Sequence, residues 1–236
     1  VEVSLEGIQR KIRFLNPDHG LINTDDPIAL HVSAYGPRSR ALTARLAAGW
    51  LNFIGDVTTA VSALESMQTA WQEAGHDPQE LSATAFALGC VLEEGEAYDS
   101  PRAMAQAGPR AAVTLHRAAD EMLAGWQNSS VTFPSFTDAV SGYVELAQSF
   151  EPADAPYLVN HEGHLMFVKP EERPFVTAEL IRDTSFTATR EVLVERIAAL
   201  RDAGYTQFTV QLTPGQESAI EDWASIKHIV VPHEGD

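Results

Sequence analysis

Over residues 1–15, Val3, Leu5, Ile8, Ile12 and Phe14 stand between charged positions and Gly7 interrupts the run, which predicts a β-hairpin or two short edge strands. Asn16–Gly20 is a loop and Asp25–Pro27 a turn by composition. From there the rhythm changes. Ile28–Ala34 is a short apolar strand ended by Gly36-Pro37, and Pro37 suits the first position of a helix, where its missing N–H is no loss. Leu42 and Leu46 carry that helix toward Gly49, and Trp50–Ile54 is a second strand. Val61, Leu64, Gln68 and Trp71 share one face of the next helix, with Met67 beside them and Gly75 as its stop.

Thr84–Leu92 is an almost unbroken apolar run, the pattern of a strand covered on both faces, although a buried helix shares it. Pro101–Trp126 is Ala-rich and helical, with a break expected at Gly108-Pro109, and Phe136, Val140, Tyr143 and Ala147 mark a further helical face. Residues 151–187, rich in proline and charge, read as loop. Leu193, Ile197 and Leu200 give a helix closed by Gly204. Phe208, Val210 and Leu212 alternate with polar residues as a strand, and Ile220, Trp223 and Ile226 belong to a last helix. Four strands, each followed by helix, imply an α/β fold with a parallel sheet: a small open sheet or half of an eight-stranded barrel. A single domain spans 1–236, with an insert at about 95–187.

Composition narrows the function classes. The chain has 236 residues, 44% hydrophobic against 21% charged, enough apolar material for a sizeable core. Asp and Glu total 33 against 16 Lys and Arg, and a net charge of −17 repels a phosphate backbone, so no nucleic-acid partner is expected. Cys90 stands alone, which excludes a disulfide framework within the chain and a thiolate metal cluster. No apolar run approaches the ~20 residues of a membrane span and no signal-peptide pattern opens the sequence, so no membrane partner and a cytoplasmic location are expected. Residue 1 is Val and the first Met is Met67, the mark of a processed N-terminus or of part of a longer polypeptide.

The segment richest in chemistry is Leu30–Arg38. Ligands of βα units meet the carboxyl ends of the strands, and the free N–H groups of a following helix favour an anion. Gly36-Pro37 lets the backbone approach a ligand, and Arg38 and Arg40 add positive charge in an acidic chain. A plain strand-to-helix turn with solvated arginines is the competing reading. His161-Glu162-Gly163-His164 is one residue short of the helical zinc motif and has no third ligand in view, so no metal is expected and an exposed loop is the simpler account. One carboxylate of Glu93-Glu94-Gly95-Glu96 could act as acid or base, against a solvated acidic loop. His116 and Arg117 lie on the Ala-rich helix, where surface or partly buried roles are ordinary, and Cys90 reads as a small hydrophobe. Walker, GxGxxG and GxSxG patterns are absent.

Asp26–Arg38, followed by Leu42 and Ala47-Ala48-Gly49-Trp50, resembles the fifth βα unit of the luciferase-like monooxygenases, flavin- or deazaflavin-dependent oxidoreductases on a (β/α)8 barrel. Pro174–Arg182, Glu195-Arg196-Ile197 and Gly204–Phe208 agree, and the resemblance runs from about residue 5 to about 226. It implies a TIM-barrel type of fold with only the carboxyl-terminal four βα units present, plus an N-terminal hairpin and a helical insert. It also implies that the cofactor phosphate lies against Ser33, Tyr35, Gly36, Pro37 and Arg38, with Phe53, Ile54 and Gly55 as a further wall. The deazaflavin-dependent sugar-phosphate dehydrogenases of the family have a lysine after that second strand. Here Asp56 stands instead, which argues against a phosphosugar. The family's segment after the seventh strand often covers the active site, which would bring His161 and His164 toward substrate. The four βα units carrying most of the ring pocket and the acid–base residues have no counterpart, so no catalytic residue is assigned.

The expectation is therefore hydride transfer between coenzyme F-420 and a small organic substrate, with an FMN-dependent monooxygenase as the alternative. A third reading, from a different class, is a non-catalytic truncated barrel acting through association. Open sheet edges imply a homodimer or pairing with a chain that carries the N-terminal half barrel.

Overall fold

The computed structural model describes residues 2–13, 26, 28–125 and 137–230. The loop expected at 16–20, most of the turn at 25–27, and Trp126 and Phe136 lie outside them.

Residues 1–30 form one compact unit and residues 31–236 another. In the first, β1 (Glu2–Leu5) and β2 (Ile8–Lys11) pair antiparallel, with Glu2 opposite Lys11. The two-residue connection has Glu6 at φ 51° and Gly7 at φ 77°, the positive-φ pair that a tight hairpin turn requires. This is the hairpin the alternation predicts.

The second unit is built on a parallel sheet in the order β3 (His31–Ser33), β4 (Gly49–Phe53), β5 (Ala83–Ala87), β8 (Gln207–Val210). Helices α1 (Pro37–Arg45), α2 (Val57–Glu73), α7 (Arg190–Ala203) and α8 (Ala219–Val230) alternate with the strands as the βα pattern requires. Strand β3 is shorter than the expected Ile28–Ala34, because Ile28 and Leu30 are exposed and unpaired. Helix α1 also stops short of Gly49, with Ala47 at φ 48° turning the chain into β4. The core on this side is apolar: Trp50, Leu64, Met67, Phe186, Leu193 and Leu200 are buried together. The Trp50 indole N–H donates to the Ala34 carbonyl at 2.9 Å, so even its polar atom is satisfied.

The apolar run Thr84–Leu92 is not one strand. It divides into β5 and β6 (Val91–Leu92), and β6 pairs with β7 (Ala188–Thr189) while β5 pairs with β8. Gly89 lies at the change of partner. A Cβ there would stand 2.0 Å from the Phe186 carbonyl oxygen, so only glycine permits the approach.

Helix α3 (Pro101–Leu123) corrects a second expectation, since it runs through Gly108-Pro109 unbroken. Pro109 has no N–H to give the Ala105 carbonyl one turn back. The Thr213 hydroxyl, from the loop after β8, donates to that carbonyl instead, at 2.9 Å. Around α3 a second core gathers α4 (Thr137–Ala147) and α6 (Ala178–Thr184) with Leu115, Tyr143, Leu180 and Ile181. Residues 151–187 are thus more ordered than a loop: they hold α5 (Tyr157–Asn160), α6 and several buried polar side chains.

Candidate functional site

Both β3 and β4 end on the same edge of the sheet as the N-terminus of α1. Gly36 begins α1, its N–H donating to the Ser39 hydroxyl and its carbonyl accepting from it. Pro37 has no N–H, and among the described residues no side chain accepts from the N–H groups of Arg38 and Ser39, which leaves both available to an acceptor. Ser33, Tyr35, Gly36, Pro37 and Arg38 are all exposed along this turn. Phe53 closes β4 and meets Phe86 of β5 at 5.2 Å between ring centres. Ile54 points into the apolar core. Gly55 has a packing reason to be glycine, because a Cβ would lie 2.9 Å from the Thr184 carbonyl oxygen. Asp56 caps α2, accepting from the Thr59 N–H at 2.8 Å.

The residue that sequence reading missed is Arg110. It projects from α3 so that its guanidinium lies over the Phe53 ring, 4.7 Å from the centre, and beside Gly55. Its Nε is buried and has no hydrogen-bond partner among the described residues. Burial above all, with the nearby Arg117 charge, pulls its pKa down to about 10, while Tyr35 works the other way. A buried guanidinium with an unsatisfied donor is costly unless an anion or polar group reaches it. An arginine in an Ala-rich helix carries no local mark of this; only the tertiary packing of α3 against β4 reveals it.

Glu96 is the one carboxylate of the acidic loop held in place. Arg102 forms a short ion pair with it and also bonds Asp222 at 3.1 Å, while Ser100 donates to Glu96 at 2.7 Å and caps α3. Burial opposes the Glu96 charge, but Arg102, Ser100 and the Glu93 N–H outweigh it and hold the carboxyl below its ordinary range. These contacts tie the acidic loop to the start of α3. Cys90 is buried in the second core, and burial pushes its thiol up to about 12.

Deeper along α3, Glu172 is fully buried as a polar hub. Its carboxylate accepts from His116 Nε2 at 2.7 Å, from the Tyr143 hydroxyl at 3.0 Å and from the Lys169 N–H at 3.0 Å, and Lys169 Nζ lies 2.9 Å away. Burial opposes this charge too, yet His116 and Lys169 keep the carboxyl low. Asn160 ties the hub to α5 and α3, accepting from Tyr143 and donating to the His116 carbonyl and to Asp120. The turn after α5 brings His161 and His164 beside His116. The expected exposed loop therefore has its third histidine after all, on α3. Nearby, Gln211 after β8 donates to the Leu165 carbonyl at 3.0 Å, and Met166, Phe167 and Val168 line a cavity of about 230 Å³ with Met104, Arg173 and Pro214.

No protein-family model matches this sequence, and no curated protein does. Solved structures do. A coenzyme F420-dependent tetrahydromethanopterin reductase from Methanopyrus kandleri superposes with a TM-score of 0.50 at 17% identity, over 82% of this chain and 48% of that one. The chain has the fold of part of a TIM-type βα barrel. An F420-dependent secondary alcohol dehydrogenase in complex with an F420-acetone adduct aligns at a TM-score of 0.48 and 15% identity, over 98% of this chain and 55% of that one. The oxygenating constituent of 3,6-diketocamphane monooxygenase from Pseudomonas putida, in complex with FMN, aligns at 0.43 and 14%, over 98% and 56%. The present chain spans about half the length of these barrels. No helix among its described residues is long and apolar enough to cross a membrane.

Proposed function

We propose that this partial luciferase-like barrel belongs to an oxidoreductase that moves a hydride between coenzyme F-420 and a small organic substrate, with an FMN-dependent monooxygenase as the alternative. The observation that carries the reading is Arg110: its Nε is buried without a hydrogen-bond partner among the described residues, its guanidinium lies over Phe53 and beside Gly55, and Tyr35 is near enough to act on its charge. Both cofactors bear a phosphate, and this donor set suits one. The Arg38 and Ser39 N–H groups, the Arg38 side chain and Arg110 would hold it, with Ser33, Tyr35, Gly36 and Pro37 shaping the turn and Phe53 giving an apolar wall. When bound, the ring system supplies the hydride chemistry, while the chain binds, orients and desolvates. Asp56, committed to capping α2, stands where the family's sugar-phosphate dehydrogenases have a lysine, which argues against a phosphosugar.

Adding F-420 and FMN separately to the purified chain, and following absorbance and fluorescence, tests the reading. Saturable binding of F-420 is the expected result; binding of FMN alone moves the protein to the monooxygenase reading. Binding of neither favours the non-catalytic one.

Association belongs to the same proposal. Strand β3 is paired only to β4 among the described residues, and Tyr35, Leu42 and Leu46 are exposed near that edge. A homodimer, or pairing with a chain carrying the other half barrel, would cover it. A well-folded monomer in sedimentation at micromolar concentration would remove this part.

A further inference from the structure

Three imidazoles converge where α3 meets the turn after α5. The ring centres of His161 and His164 are 5.3 Å apart, and those of His116 lie 5.6 and 6.1 Å from them. One ring nitrogen from each lies within 4.8 Å of the other two, and the Nδ1 atoms of His161 and His164 are 3.3 Å apart. Three imidazoles bound tetrahedrally at Zn–N distances near 2.0–2.1 Å would place their nitrogens about 3.4 Å, and their ring centres about 5 Å, from one another. The trio is close to that arrangement.

The hydrogen bonds decide which atoms are free. His116 Nε2 bonds Glu172 at 2.7 Å and His161 Nε2 bonds Asp120 at 2.7 Å. Each carboxylate fixes its imidazole with the proton on Nε2 and turns the Nδ1 lone pair inward, which is how metal-ligating histidines are oriented by their outer partners; the His161 Nδ1 lone pair meets His164 Nδ1, a hydrogen bond that a shared ion would replace. A merely structural His–Glu pair would not explain the remaining atom. His116 is 2% exposed, and its Nδ1 is buried without a hydrogen-bond partner among the described residues. The backbone supports the convergence: His116 and Asp120 are one turn apart on α3, and His164 N–H donates to the His161 carbonyl at 3.1 Å to close the turn.

We propose that His116, His161 and His164 form a binding site for a divalent transition metal, with the fourth position open to water or an anionic ligand. Nitrogen ligands select zinc, cobalt, nickel or copper over magnesium and calcium. Asp120 and Glu172 are the carboxylates behind the ligands, Lys169 is paired with Glu172, and the Arg110 charge is near enough to act on His164. His161 and His164 are partly exposed, so an ion can enter and keep a solvent-facing position, the form of site in which a bound water is made acidic.

The test uses the untagged chain, dialysed against chelator, and Zn²⁺ alone in a calorimetric titration at neutral pH. One Zn²⁺ per chain is expected, with no Mg²⁺ binding, and Co²⁺ should give the intense visible bands of four-coordination. His164→Ala and His161→Ala, both at partly exposed positions, should abolish those bands and the stoichiometric Zn²⁺ binding while leaving the circular dichroism unchanged. Asp120→Asn should weaken Zn²⁺ by about 10–100-fold. His76→Ala, outside the trio, should change nothing. Zn²⁺ binding that survives His164→Ala, falls equally in His76→Ala, or is never stoichiometric would overturn the proposal.

Discussion

The two cores of the larger unit are built from opposite materials. On the sheet side, β4, β5, α2 and α7 close on Trp50, Leu64, Met67 and Leu193, and the hydrogen-bonded polar groups among them are neutral: Asn52 donates to the Tyr205 hydroxyl at 2.7 Å, which donates to the Ala60 carbonyl at 2.9 Å. On the α3 side, small alanines and a few large apolar residues surround a buried carboxylate, Glu172, with Lys169, His116, Tyr143 and Asn160 around it. The first core only has to hold strands in register. The second fixes polar groups in place at a desolvation cost, the arrangement expected where side chains must be positioned rather than merely packed.

Removing one residue from each core should break or sharpen that contrast. Glu172→Ala leaves Lys169 and the His116 ring without their carboxylate, and a loss of about 3–5 kcal/mol is expected in denaturant unfolding. Leu64→Ala on the sheet side should cost about 2–5 kcal/mol from lost burial and the cavity left behind. Glu172→Ala costing under about 1 kcal/mol would mean the hub is solvated and the contrast false. Thr213→Val, which strips the Ala105 carbonyl of its donor beside Pro109, should cost about 1–3 kcal/mol by the same measurement.

Acid sensitivity separates the regions further. The Glu96 carboxyl is held below its ordinary range, so between its folded and unfolded pKa the unfolded chain binds more protons. Its contribution is complete above the unfolded value and is lost as pH falls through the folded one. Glu96→Gln should therefore flatten the acid limb of the stability–pH curve below about pH 4.5 and leave the neutral limb's slope unchanged. The smallest effect concerns Cys90. With its thiol pushed up to about 12 in a buried site, alkylation of the folded chain near pH 8 should be negligible and should become rapid on unfolding.

The sheet side was legible in the sequence because its physics is periodic. Leu64, Met67 and Trp71 recur at helical spacing, and Phe208 and Val210 alternate, so α2 and β8 follow from the pattern alone. The α3 side was not, because its determinants are tertiary. Lys169 and Glu172 fall in the proline- and charge-rich stretch that reads as loop, and nothing local marks them as buried partners of His116 and Tyr143. The Gly108-Pro109 break failed to appear because Thr213, far along the chain, replaces the missing donor. The split of Thr84–Leu92 turns on the approach of Phe186 to Gly89, which no local window contains. In the candidate site, the Gly36-Pro37 turn was readable as a βα junction, whereas Arg110 and the joining of His116 to His161 and His164 required the packed helix.

The proposed function has the turn between β3 and α1 bind a cofactor phosphate with help from Arg110. The direct measurement is a fluorescence titration of coenzyme F-420, and of FMN in parallel, against the native chain and Arg110→Gln. Saturable F-420 binding that weakens roughly 10–100-fold in Arg110→Gln, as loss of a charged hydrogen bond implies, is the predicted result. Equal affinity in the two proteins, or binding of neither cofactor to the native chain, would contradict it.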